Sequence, residues 1–125
     1  MPPAGGETGA RNAELTTQLV LWAKKDGTGI AFDSSAGFKL PNSATLSPDA
    51  SWVKRTRFDA LSAEERRKFP PLCPEFVIEL RSPTDSLRVL NDKMQEYIEN
   101  GAQLGWLIDP DQHKVYVYQI GRAHV

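Results

Sequence analysis

The sequence predicts a single mixed α/β domain, a β-sheet flanked by helices, on three observations. The chain has 125 residues and is 40% hydrophobic, enough for one domain with one core. Phe76-Val77-Ile78-Glu79-Leu80 is a run of β-formers between Pro74 and Ser82-Pro83. A run that is almost continuously apolar predicts a strand covered on both faces and central in its sheet. Stretches of helical period lie on either side: Leu15, Leu19, Val20 and Trp22 before it, and Leu87, Leu90, Met94, Tyr97 and Ile98 after it. Helices and strands therefore alternate, but without a regular βαβ repeat.

Taken in order, residues 1–10 are rich in Pro and Gly and read as an irregular lead-in. Asn12 can cap a helix running to about Lys25, which Asp26-Gly27 ends. Ile30-Ala31-Phe32 and Phe38-Lys39-Leu40 read as short strands joined by the turn Ser34-Ser35-Ala36-Gly37, and Asp49 to Val53 as a third strand. Ser62-Ala63-Glu64-Glu65 has the pattern of a capping box before a short surface helix ending near Lys68. Ser82-Pro83-Thr84-Asp85 signals a helix start, with Gly101 as the stop after Asn100. Leu104 to Ile108 and Val115 to Tyr118 are the last strands. Trp106 falls in the first of these and reads as core. Trp22 and Trp52 receive the same reading, although a nucleic-acid base could instead stack on Trp52.

Composition narrows the function. The net charge is −1 and the pI about 6.1, which argues against a dedicated, salt-driven nucleic-acid binder. An enzyme that touches nucleic acid briefly through a local basic patch remains compatible. Cys73 is the only cysteine, so no internal disulfide can form, which suits a reducing interior. It is expected to be a structural, unreactive thiol. His113 and His124 lack zinc-ligand spacing, and no apolar run approaches membrane-spanning length. The start of the chain has neither the basic nor the apolar region of a signal peptide, so a cytoplasmic protein with no membrane partner is expected.

The chemistry begins at Glu79. A charge inside a buried strand is costly unless it is paired or coordinates a metal. Asp49 follows Pro48 at the start of a strand; alone, it would be read as a turn aspartate. Lys93 lies three residues after Leu90 and four before Tyr97, at the border of the buried helical stripe, where a lysine often only covers core with its stem. Singly, each residue favours the plain explanation. Together, two carboxylates and a lysine at the edges of one packed unit have the makings of a hydrolytic metal site. Magnesium takes one or two carboxylates plus waters and substrate phosphate. A lysine beside it can position the attacking water or stabilise developing charge.

Pro48-Asp49 followed by Glu79-Leu80-Arg81 resembles the PD-(D/E)XK nuclease superfamily. More closely, Gly5-Gly6-Glu7-Thr8-Gly9, Arg11-Asn12, Ser47 to Val53, Phe69-Pro70-Pro71 and Phe76 to Pro83 resemble the cyanobacterial-type restriction endonucleases of the Uma-two family. The resemblance covers nearly the whole chain. It implies a restriction-endonuclease-like domain over residues 11–119, a Mg- (or Mn-) dependent endonuclease activity, and DNA as a transient substrate. Asp49 and Glu79 are the implied metal ligands. Arg81 stands where the superfamily usually has its lysine, and the resemblance implies that Lys93, on the following helix, has taken that role. Arg81 and Gln95 are lesser candidates, and Glu14 matches a position where the superfamily often keeps a supporting acid. Relatives carry a further segment ahead of Gly5-Gly6, so the chain reads as a fragment, with residues 120–125 as a non-native tail. A homodimer is an open expectation. The competing expectation is a nuclease fold without activity, serving as a binding or interaction module.

Overall fold

A computed structural model of the chain describes residues 3–120 and the backbone of 122–124. The elements run α1 (Gly6–Asp26), β1 (Gly29–Phe32), β2 (Phe38–Lys39), β3 (Thr45–Leu46), β4 (Ala50–Lys54), α2 (Arg55–Asp59), α3 (Ala63–Arg67), β5 (Phe76–Leu80), α4 (Leu87–Glu99), β6 (Leu104–Asp109), β7 (Lys114–Gln119) and β8 (Arg122–His124). Six strands form one sheet in the order β1-β4-β5-β6-β7-β8, and β2 and β3 form a small separate ribbon. Among the described strands only β5 and β6 are parallel, joined by the α4 crossover that a parallel pair requires. The sheet is mixed, and β5 lies inside it as expected.

Alternation along the strands sorts side chains to two faces. Val53, Val77 and Leu107 pack with Met94 and Tyr97 of α4, and with Phe38 and Leu40 of the ribbon segment, in the main core. Ala50 and Ile78 face the other way and pack with Leu19 of α1. Beside α1 this second face is only partly covered. An apolar groove of about 460 Å³ remains there, lined by Leu15, Leu19, Trp22, Phe76, Leu104 and Trp106 among others.

Several expectations are corrected. Helix α1 begins at Gly6 with Gly5 at its N-cap, so the lead-in ends well before residue 10 and Asn12 is inside the helix rather than its cap. No side chain caps this end. Glu7 suits the first turn and reaches Arg11 one turn on at 3.7 Å. β1 and β2 are not a hairpin: β1 pairs with β4 and β2 with β3. Strand β3 and helix α2 carried too little periodicity to be anticipated. The capping box of α3 is present, with Ser62 Oγ accepting from the Glu65 amide and the Glu65 carboxylate accepting from the Ser62 amide. Helix α4 starts later than Asp85, because Ser86 caps it by accepting from the Val89 amide. Asp85 instead accepts from the Ser82 amide at 3.0 Å and shapes the approach. Trp106 is 38% exposed and Trp22 50%, whereas Trp52 is buried edge-on against Trp22. Cys73 is buried, and that burial pushes its thiol up to about 11. The tail expected over residues 120–125 falls partly outside the described residues, as does the His124 side chain. The backbone of Arg122–His124 pairs with β7.

Candidate active site

Asp49 immediately precedes β4, and Glu79 is the fourth residue of β5. The antiparallel register sets Ala50 opposite Ile78 and Ser51 opposite Val77. One step further along, that register brings Asp49 level with Glu79. The main-chain amide of Leu80 fixes the aspartate by donating to Oδ2 at 2.7 Å. The two carboxylates are close enough that the negative charge of Asp49 bears on Glu79. Both line an open cleft of about 660 Å³, whose other walls are the start of α1, the Ser82–Asp85 loop, and Leu90 and Lys93 of α4.

Glu79 is only 3% exposed. Its Oε2 meets two donors from consecutive turns of α4: Lys93 Nζ at 3.0 Å and the Tyr97 hydroxyl at 2.8 Å. Burial pushes the Glu79 carboxyl up to about 7. Lys93 opposes that rise, and the negative charge of Asp49 adds to it. Burial raises Asp49 as well, against the Leu80 amide and Lys93. The Tyr97 phenol is also raised, first by burial and then by Glu79, so it stays protonated and donates.

The remaining candidates sit elsewhere. Arg81 is on the same face as Glu79 but is bound to the buried Asp109 at 2.8 Å and to the Asp85 carbonyl at 3.2 Å, and it does not line the cleft. Burial alone would raise Asp109, but the bonds from Arg81 and the Gln112 amide hold it below the usual carboxylate range. Glu14 is exposed on α1 and accepts from Gln18 at 2.9 Å. Gln95 is half-buried and away from the cleft. Helical periodicity places Tyr97 in the apolar stripe and does not mark it as a site residue. The usable signal was a tyrosine, whose buried hydroxyl needs a partner, one turn beyond Lys93.

Among the described residues, no group of three or more His, Cys, Asp or Glu could hold a metal ion. The available donors are therefore the Asp49–Glu79 pair. Two adjacent hard carboxylates in a water-accessible cleft suit Mg²⁺ or Mn²⁺, which complete their shell with water and phosphate oxygens. No helix among the described residues is long and apolar enough to cross a membrane.

The fold is similar to a crystal structure described as "a putative nuclease belonging to DUF820" from Anabaena variabilis, with a TM-score of 0.83 and 24% sequence identity. The match covers 97% of this chain and 66% of that one, so the chain spans just under two thirds of its neighbour's length. No curated protein matches the sequence. Residues 1–124 match the sequence profile of the Uma2 family, described as "Putative restriction endonuclease". This chain belongs to the Uma2 family.

Proposed function

We propose that this chain is the core of a divalent-metal-dependent DNA endonuclease that hydrolyses phosphodiester bonds. Asp49 and Glu79 hold Mg²⁺ or Mn²⁺, and Lys93 assists the attacking water. The observation that carries the reading is one contact: Lys93 Nζ lies 3.0 Å from Glu79 Oε2 on the rim of a cleft that Asp49 also lines. A bound divalent ion would supply Lewis acidity at the scissile phosphate. The chain's own residues do the rest. Lys93 can hold a water or a phosphate oxygen by hydrogen bonding, and the Leu80 amide keeps Asp49 in place. The charge of the cleft supports a cation requirement. Among the described residues, Glu7, Asp49, Glu79, Asp85 and Asp111 line it against Arg11 and Lys93. A phosphodiester meets net negative charge there until an ion offsets it.

A second reading, a nuclease-fold module that binds without cutting, rests on Arg81, which fills the superfamily's lysine position but is tied to Asp109. Nicking of supercoiled plasmid separates the two. Cleavage is expected with Mg²⁺ or Mn²⁺, and its loss is expected with chelator and in Asp49→Ala and Glu79→Gln. Absence of metal-dependent cleavage, or cleavage that survives both substitutions, would sink the first reading.

A further inference from the structure

We infer that Tyr97 is a positioning residue that fixes the Glu79 carboxylate for the ion and leaves Lys93 free to move to the substrate. The inference rests on the metal-site reading above.

Tyr97 is fully buried, in the main core with Val77, Met94 and Leu107. Its backbone is tied down as well, because its carbonyl accepts from the Ala102 amide at 3.0 Å and from Cys73 Sγ at 3.5 Å. The ring has no room to swing, so its hydroxyl is a fixed donor aimed at Glu79 Oε2 at 2.8 Å. Lys93 reaches the same oxygen on a long, partly exposed and flexible stem. Both donors thus share Oε2. The two donors differ in what they can do next. An ammonium that turns to a water or phosphate must give up Oε2. The phenol cannot follow, so Glu79 stays oriented by one donor while the other works.

The test is direct Mn²⁺ binding, read by the free-ion electron paramagnetic resonance signal, on the parent and on Glu79→Gln, Tyr97→Phe and the double variant. Thermal melting is run alongside to confirm folding. Tyr97→Phe removes one oxygen and keeps the ring in the core. The expected result is Mn²⁺ affinity weakened about 10- to 100-fold in Tyr97→Phe, the usual effect of removing a group that orients a metal ligand. In the Glu79→Gln background, the same substitution should change the residual affinity no further. A purely structural tyrosine would lower the melting temperature and leave Mn²⁺ affinity at the parent value, and that outcome overturns the inference while the metal site stands. Equal binding by the parent and Glu79→Gln, or none by the parent, overturns the metal-site reading and this inference with it. If Tyr97→Phe does not fold, 3-fluorotyrosine at position 97, which keeps the ring and hydroxyl and alters only the hydroxyl's donor strength, replaces it: a shifted Mn²⁺ affinity is expected, and parent-level affinity would overturn the inference equally.

Discussion

Lys93 has one anionic partner among the described residues, Glu79, and it is the residue that separates a catalyst from a scaffold. Lys93→Met keeps the apolar stem on α4 and removes the charge. The expected outcome is that plasmid cleavage is abolished, while Mn²⁺ binding stays close to the parent and stability changes by no more than about 1–2 kcal/mol. Cutting at the parent rate would move the role to another group. The sequence made this residue visible because its place beside Leu90 and Tyr97 follows from helical spacing alone. Glu79 was visible for a different reason, since a carboxylate in an apolar strand demands a partner. Tyr97 was not, because a stripe of apolar positions does not show where a hydroxyl at its edge points. The Arg81–Asp109 pair was equally hidden, since it needs the β5–β6 register that brings the ends of the two strands together.

At the scale of elements, the strands with strong β-formers and the helix with a continuous stripe were legible, and the short or one-sided pieces were not. Strand β6 shows why. Leu104-Gly105-Trp106-Leu107-Ile108 is apolar throughout, so sequence alone does not say which face a neighbour covers. α4 covers Gly105 and Leu107, while Trp106 is left at the margin of α1, edge-on to Phe76 at 5.0 Å. The glycines of these strands give a sharper test of packing. A methyl group at Gly29 would fall within the Trp52 ring, which is itself wedged against Trp22. A methyl group at Gly105 would come 2.6 Å from Met94 Cε, the free end of a flexible side chain. Gly29→Ala is therefore expected to cost about 1–3 kcal/mol, the usual range for overpacking. Gly105→Ala should cost clearly less, since methionine can yield. Urea denaturation of both variants checks the order, and an equal or reversed ranking would contradict this account of the α1 face.

For the whole molecule, the site and the fold are linked through protons. Glu79 holds its proton more tightly folded than unfolded, so its contribution to stability is complete below about pH 4.5 and is lost as pH rises through about 7. Asp49, also raised, acts with the same sign. Asp109, held low, has the opposite sign, but its contribution is lost only as pH falls below the usual aspartate range. Metal-free protein should therefore melt at a lower temperature at pH 7.5 than at pH 5.5, and Glu79→Gln should flatten that slope. Saturating Mn²⁺ should reverse it, because the ion needs both acids ionised. A metal-free melting temperature that rises over this interval would refute the linkage. Asp49 is anchored by the amide of Leu80, and an amide is the same in every amino acid but proline. Position 80 can therefore change its side chain, within the space its burial allows, without disturbing the acid. Relatives that share little sequence can keep the same two-carboxylate geometry, because part of it is carried by backbone that no substitution short of proline removes.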